Sequence, residues 1–145
     1  MVVIIYRGQR IYMAMSAKID TTVNEKNELT SYWVNGQVTT EQIISTIEDY
    51  YSGRRPTKHV LWNFSSTHIH HLKGFEIERI ANAALTYSGI ENPLKTALVF
   101  ASKADFGVGR MFEAFSHCVE NPKITMCFYT LEEALKWLDE GMRTS

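Results

Sequence analysis

The sequence is poor in the residues and runs that usually identify a function. Among its 145 residues are two cysteines and three prolines, and no apolar run approaches the length of a membrane span. The formal net charge is −1, so the chain has no overall field to attract nucleic acid or anionic lipid. We therefore expect a soluble cytoplasmic protein that has no integral membrane association and binds no nucleic acid.

Motifs of the common enzyme classes are also missing. Cys118 and Cys127 do not lie in a CxxC or other metal-ligand spacing, and we predict that both are reduced, buried thiols. The sequence contains no Walker loop, no His-Glu-x-x-His and no Gly-x-Ser-x-Gly. We therefore predict a protein that is not an enzyme, has no catalytic residue and needs no cofactor.

The composition is that of an ordinary globular protein, with 45% hydrophobic and 21% charged residues. A chain of this length fits one domain, and no Pro/Gly/Ser-rich linker or repeat divides it. We expect a single domain over residues 1–145.

Hydrophobic patterning predicts strands first and alternating strands and helices afterwards. In the first part we predict strands at Val2–Tyr6, Ile11–Met15 and Leu29–Val34, with Asp20–Glu28 as a turn or loop. Later strands are predicted at Val60–Phe64, Thr96–Ala101 and Ile124–Tyr129, and they are almost wholly apolar. Apolar strands separated by helices are typical of a parallel sheet. The fold class is α/β, with a mixed sheet, N-terminal antiparallel edge strands and about four helices.

Two helix starts have the sequence of a capping box. Thr39 is followed three residues later by Gln42, and Thr130 three residues later by Glu133. In this motif the two side chains satisfy free backbone N–H groups at the helix start. We predict helices after Thr39 and after Thr130.

The stretch "ADFGVGRMFEAF" contains the Asp-Phe-Gly tripeptide of protein kinases, but no His-Arg-Asp catalytic loop accompanies it. We predict instead that Asp105 is the N-cap of a helix. The core-facing side of this helix would carry Val108, Met111, Phe112 and Phe115, which recur at helical spacing.

The same helix start is a candidate ligand site. Gly107 and Gly109 leave its first turn without side chains, and helix N-termini bind anions through free N–H groups. Asp105, Gly107, Gly109 and Arg110 are therefore candidate residues for a small anionic ligand. The alternative is close packing of the helix start against a neighbouring element.

A second candidate site is the histidine cluster His68, His70 and His71. In an extended segment His68 and His70 share a face and could bind zinc or nickel. Asp105 or Glu76 could complete the ligand set only if the fold brought them close. The alternative is a loop that is simply rich in imidazole.

Aromatic residues are more numerous than a small core requires. They include Tyr32, Trp33, Tyr50, Tyr51, Trp62, Phe64, Phe75 and Tyr87. Some of them are candidates to line a pocket for an apolar ligand or a homodimer interface, and the others would belong to the core.

From Lys58 to Trp137 the chain resembles the SpoIIAA-like family, which is related to STAS domains and to anti-sigma-factor antagonists. The resemblance rests on "HVLWNF", "KTALVFASKADFGVGRMFEAF" and "ITMCFYTLEEALKWL". It implies a β-α superhelix in which four helices back a mixed sheet. It implies no catalytic residues.

Anti-sigma-factor antagonists of this fold carry a phosphorylatable serine in an Asp-Ser-Ser-Gly-like turn. Placing Gly74 on that glycine puts His71, Leu72 and Lys73 where the acid and the two serines would stand, so the phosphoacceptor is absent. Ser65 and Ser66 lie earlier in the chain and are the remaining candidates for phosphorylation.

These observations favour a non-enzymatic binding or regulatory module that acts through protein partners or a small apolar or anionic ligand, with a homodimer as a candidate assembly. The first alternative is a metal-dependent protein or enzyme that uses the histidine cluster. The second is a phosphoregulated anti-sigma-factor antagonist.

Overall fold

The computed structural model describes residues 2–13, 17–52, 57–87, 95–117 and 124–140. Its strands are β1 (Val2–Tyr6), β2 (Gln9–Met13), β3 (Lys18–Asn24), β4 (Leu29–Asn35), β5 (His59–Ser66), β6 (Lys95–Val99) and β7 (Ile124–Phe128). Its helices are α1 (Thr40–Ser52), α2 (Gly74–Tyr87), α3 (Lys103–His117) and α4 (Leu131–Glu140). Cys118, one of the two predicted buried thiols, lies outside the described residues, whereas Cys127 is buried.

Five strands form one mixed sheet in the order β3-β4-β5-β6-β7. The β3–β4 pair is antiparallel, and the β4–β5, β5–β6 and β6–β7 pairs are parallel. Each parallel pair is joined through one of the helices α1, α2 and α3. Because the strand order advances in one direction and such crossovers share one hand, these three helices cover the same face of the sheet.

The sheet separates two hydrophobic clusters. On the face covered by α1, α2 and α3, the core contains Trp62, Phe64, Leu98 and Phe100. On the other face, Leu61, Ala97 and Val99 pack against Ala134 and Leu138 of α4. Successive strand residues point to opposite faces, and burial on both faces explains why β5 and β6 are apolar throughout.

The N-terminal region differs from the prediction in two ways. Asp20–Glu28 is not all turn or loop, since its first residues belong to β3 and only residues 25–28 form the turn. We missed β3 because, as an edge strand, it is largely exposed and mostly polar. In addition, β1 and β2 form a separate two-stranded antiparallel sheet, so the antiparallel edge of the main sheet is β3.

The capping box at Thr39 is confirmed in full, and at Thr130 the threonine half of the box is confirmed. The amide of Gln42 donates to Thr39 Oγ1 at 3.2 Å, and the amide of Thr39 donates to Gln42 Oε1 at 3.0 Å. At the start of α4 the amide of Glu133 donates to Thr130 Oγ1 at 3.2 Å.

Of the described helices, none is both long and apolar enough to cross a membrane.

The start of α3 corrects a further prediction. The N-cap is Ser102, whose hydroxyl accepts the amide of Asp105 at 3.2 Å, so Asp105 lies three residues inside the cap. The most buried positions of the helix are consequently Asp105, Gly109 and Glu113. Met111 lies away from that line and is 41% exposed. Val108, Phe112 and Phe115 pack against the core as predicted.

Candidate functional site

A cavity of about 120 Å³ lies between the sheet and the three helices α1, α2 and α3. Its floor is formed by side chains of β4, β5, β6 and β7, and its roof by side chains of the helices and of the segment 69–72. The aromatic lining residues are Tyr32, Tyr50, Tyr51, Trp62, Phe64, Phe100 and Phe112.

The floor of the cavity is a row of aromatic rings held by the strand register. Tyr32 lies opposite Trp62 in the β4–β5 pair, and their ring centroids are 4.6 Å apart. The ring of Phe64 stacks on Trp62 at 5.6 Å and on Phe100 at 5.5 Å, with nearly parallel planes. Such contacts add to the stability gained by burial of the rings and fix their orientation. The ring planes of Trp62, Phe64 and Phe100 therefore lie nearly parallel along the floor.

Two hydroxyl groups at the cavity wall donate hydrogen bonds to the protein backbone. The hydroxyl of Tyr50 donates to the carbonyl oxygen of Thr57, and Ser116 Oγ donates to the carbonyl oxygen of Phe112 at 2.9 Å. Burial raises the pKa of Tyr50 to about 12, so its phenol is neutral at physiological pH. Among the described lining residues no side chain carries a charge. The cavity is therefore chemically suited to an apolar molecule.

Four half-buried residues line the end of the cavity at the amino ends of the parallel strands. Tyr51, Leu85 and Ser116 lie close to the carboxyl ends of α1, α2 and α3, and Thr96 lies near the start of β6.

Of the aromatic residues singled out in the sequence, five line this cavity: Tyr32, Tyr50, Tyr51, Trp62 and Phe64. Trp33 does not line it, and its indole N–H donates to Thr22 Oγ1 at 3.2 Å. Phe75 is 66% exposed, and the side chain of Tyr87 lies outside the described residues.

At the opposite end, where β5 and β6 finish, the carboxylate of Asp105 is fully buried and receives five hydrogen bonds. Its Oδ1 atom accepts the amides of Ile69 at 2.8 Å and His70 at 2.9 Å, and the ring Nδ1 of His70 at 3.1 Å. Its Oδ2 atom lies 2.9 Å from His68 Nδ1 and accepts the hydroxyl of Ser102 at 2.7 Å. One carboxylate thus joins the start of α3 to the segment after β5.

Two opposing effects act on the pKa of Asp105. Burial alone would raise it, but the hydrogen bonds from Ser102, His68, Ile69 and His70 outweigh burial and hold the pKa well below its ordinary value. The group is therefore a carboxylate at physiological pH. Because a carboxylate can only accept, each neutral histidine must carry its proton on Nδ1.

The three histidines separate in the structure. His68 and His70 lie side by side on Asp105, with ring centroids 5.3 Å apart. His68, His70 and Asp105 each offer one ligand atom, and these three atoms all lie within 4.8 Å of one another. His71 is not part of this group, since its Nε2 lies 3.1 Å from the carbonyl oxygen of Val38.

The glycines and the arginine proposed for an anion site have different surroundings. A side chain on Gly107 would meet no atom within 4 Å. The Cα of Gly109 instead faces the core, because an added Cβ would lie 2.3 Å from Phe100 and 2.8 Å from Cys127 Sγ. Arg110 lies 3.3 Å from the carboxylate of Glu113, which is itself 7% exposed. Glu113 also accepts the amide of Cys127 at 2.8 Å.

The candidate phosphorylation sites lie at the exposed end of β5. Ser65 donates its hydroxyl to Asn63 Oδ1 at 2.5 Å, and its amide bonds to the same oxygen at 3.0 Å. Ser66 is also exposed. This is a turn with local side-chain bonds, and phosphorylation of either serine stays a prediction.

Sequence reasoning missed three contributors to these sites. Ser102 was not named, although Ser102 and Asp105 have the spacing of a capping box and could have been found by it. Ile69 and Leu72, which line the cavity, have no periodic context in the sequence, so only the path of the chain reveals their role.

Comparison with known proteins supports the fold. No family model matches the sequence, and no curated protein matches it. Among solved structures, the chain is similar to the crystal structure of an uncharacterised protein of the DUF3478 family from Shewanella loihica PV-4. The TM-score is 0.52 at 15% sequence identity, and the match covers 90% of this chain and 99% of the other. That protein has a SpoIIAA-like fold, and the element order and sheet described above agree with it. The chain has a SpoIIAA-like fold.

Proposed function

We propose that the protein is a non-enzymatic binding module that takes a small apolar ligand into the cavity between its sheet and α1, α2 and α3. The observation that carries the proposal is the cavity itself, about 120 Å³ in volume and lined by aromatic and aliphatic side chains. Well-packed interiors hold few voids larger than a water molecule. An empty cavity of this size deprives the surrounding side chains of favourable van der Waals contacts, and a bound ligand would restore those contacts.

The size and chemistry of the cavity limit the ligand. An apolar cavity of about 150 Å³ stays dry and binds benzene, so the present cavity suits a single aromatic ring or a short branched hydrocarbon. The nearly parallel rings of Trp62, Phe64 and Phe100 on the floor favour an aromatic ring, because rings stack in offset and tilted geometries. A charged ligand would find no partner among the described lining side chains.

The lining residues also favour binding over catalysis. Among those described there is no carboxylate, histidine, cysteine or lysine. Burial raises the pKa of the three lining tyrosines, Tyr32, Tyr50 and Tyr51, so their phenols are neutral and poor general bases at physiological pH. Ser116, the hydroxyl residue on α3, donates to its own helix backbone. A bound molecule would be held without being changed, and occupancy of the cavity would be the signal.

Fluorescence offers a direct test, because the chain has three tryptophans and only Trp62 lines the cavity. In a Trp33→Phe, Trp137→Phe background, Trp62 reports on the cavity alone. We expect saturable quenching by iodobenzene, whose heavy atom quenches indole on contact. Benzene should compete with it and should raise the Tm by about 3–6 °C at ten times its Kd.

A matched pair of variants on α2 serves as the control. Ala84 lines the cavity, whereas its neighbour Ala83 does not, so Ala84→Leu places three extra carbon atoms in the cavity and Ala83→Leu places them outside. We expect Ala84→Leu to abolish quenching and the Tm shift, and Ala83→Leu to retain both. Linear, unsaturable quenching, or equal responses in the two variants, would overturn the proposal.

A further inference from the structure

We infer that His68, His70 and Asp105 form a binding site for a divalent transition-metal ion, at the carboxyl ends of β5 and β6. The inference is independent of the apolar cavity and goes beyond the binding function proposed for it. It rests on the juxtaposition of two imidazoles with one carboxylate, which come from chain segments 35 and 37 residues apart.

The interatomic distances fit a shared ion. His68 Nδ1 lies 2.9 Å from Asp105 Oδ2, and His70 Nδ1 lies 3.1 Å from Asp105 Oδ1. Zinc binds imidazole nitrogen and carboxylate oxygen at about 2.1 Å, so two ligand atoms on one tetrahedral ion are about 3.4 Å apart. Each nitrogen–oxygen pair therefore has to separate by only about 0.3–0.5 Å when a metal replaces the ring Nδ1 protons, with the proton of each neutral ring moving to Nε2.

The site is organised before a metal arrives. Asp105 is fully buried, and its carboxylate is oriented by the amides of Ile69 and His70 and by the hydroxyl of Ser102. These three groups play the part of the outer hydrogen bonds that orient metal-binding carboxylates. Folding therefore already orients the Asp105 carboxylate, and metal binding requires little further ordering of that ligand.

Solvent can reach the ion on one side. The side chains of His68 and His70 are 66% and 53% exposed, whereas that of Asp105 is fully buried. A bound ion would thus have protein ligands below and water in its remaining positions. Two imidazoles and one carboxylate suit zinc, nickel or cobalt, and suit calcium or magnesium poorly.

His71 provides a matched control within the same segment. It is exposed like His68 and His70, but its Nε2 lies on the carbonyl oxygen of Val38 and outside the cluster. His71→Gln therefore changes the histidine count of the segment without changing the proposed ligand set. His68→Gln and His70→Gln each remove one ligand from a largely exposed position, so both variants should fold.

The test is titration of the full chain, freed of metal by chelator, with Zn²⁺ in a calorimeter, and with Co²⁺ followed by visible absorption. We expect one ion per chain, and at least a tenfold loss of affinity in His68→Gln and in His70→Gln. His71→Gln should bind within about twofold of the original chain. Affinity should fall as the pH is lowered, because protons compete with the metal for imidazole nitrogen.

Three outcomes would overturn the inference: no saturable binding, equal losses in all three variants, or full affinity in the His68→Gln/His70→Gln double variant. Should a variant fold poorly by circular dichroism, Co²⁺-induced paramagnetic shifts in the original chain decide the question. They must appear on the ring protons of His68 and His70 and be weaker on those of His71. Because the assay does not involve the cavity, its result leaves the apolar-ligand proposal to its own experiment.

Discussion

The carboxylate oxygen Oδ1 of Asp105 lies 2.8 Å from the amide nitrogen of Ile69, across 36 residues of sequence. Through this bond the start of α3 holds the segment that follows β5. The side chains of Ile69 and Leu72 in that segment line the apolar cavity. The hydrogen bond from Ile69 to Asp105 therefore helps to hold in place two residues of the cavity wall.

Replacement of Asp105 should destabilise the fold. In Asp105→Ala the amides of Ile69 and His70 lose their acceptor, and a buried donor without a partner costs about 1–3 kcal/mol. We expect a loss of at least about 2 kcal/mol in urea unfolding for Asp105→Ala and a smaller loss for Asp105→Asn, which keeps one carbonyl oxygen. Asp20, exposed on β3, is the control, and Asp20→Ala should change stability by less than about 0.5 kcal/mol. A comparable effect at both positions would contradict the anchoring role.

The same carboxylate should make the protein sensitive to acid. The pKa of Asp105 is held below its ordinary value in the folded state, so its stabilising effect is fully present above the unfolded-state pKa of about 3.9 and is lost as the pH falls below that. We expect the free energy of unfolding to fall more steeply between pH 5 and pH 3 in the original chain than in Asp105→Asn. Parallel pH profiles for the two proteins would refute this.

His59 should confer a second pH dependence, in a higher range. Its side chain is buried, and among the described residues its Nδ1 is the buried side-chain nitrogen without a hydrogen-bond partner. Burial and the nearby Lys95 ammonium lower the pKa of His59. Its neutral form therefore supports the fold above the unfolded-state pKa of about 6.5, and stability is lost as the pH falls below it.

His59→Leu should remove this dependence. We expect the original chain to lose more stability than the variant between pH 7.5 and pH 5.5, measured by urea unfolding at both values. The comparison is a difference between two pH values, so a constant change in stability from the substitution does not affect it. The exposed His71, changed to Gln, should leave the pH profile of the original chain intact. An unchanged profile in His59→Leu would show that other groups titrate.

The two glycines of α3 should respond in opposite ways to alanine. Gly107→Ala adds a methyl group to open space in a helix, so we expect a gain of about 0.5–1 kcal/mol from the lower backbone entropy of the unfolded chain. Gly109→Ala drives its Cβ into the ring of Phe100, which is buried and stacked on Phe64. We expect a loss of about 1–3 kcal/mol. Thermal unfolding measures both, and stabilisation by Gly109→Ala would contradict the close packing of α3 on the sheet.

Sequence patterns predicted the helices and the parallel strands well, because these features depend on neighbours a few residues apart. Thr39 and Gln42 bond within one helical turn, and so do Thr130 and Glu133. The predictions failed where the pattern was weak or shifted. The edge strand β3 is exposed along most of its length and so lacks an apolar pattern. In α3 the N-cap is Ser102 and not Asp105, and the buried face of the helix therefore contains Gly109 and leaves Met111 exposed.

What the sequence by itself determined is therefore the local structure: periodic apolar positions and caps that fix α1 to α4 and the strands between them, and with them the α/β class. Only the tertiary structure decided which distant groups meet. It placed the carboxylate of Asp105 between His68 and His70 and left the His71 ring on the carbonyl oxygen of Val38. It also surrounded a cavity with residues from three helices and four strands. The physical reason is the distance along the sequence between the groups that interact. A hydrogen bond within a turn is encoded by adjacent residues, whereas a site between crossovers depends on how whole elements pack, and no short stretch of sequence carries that information.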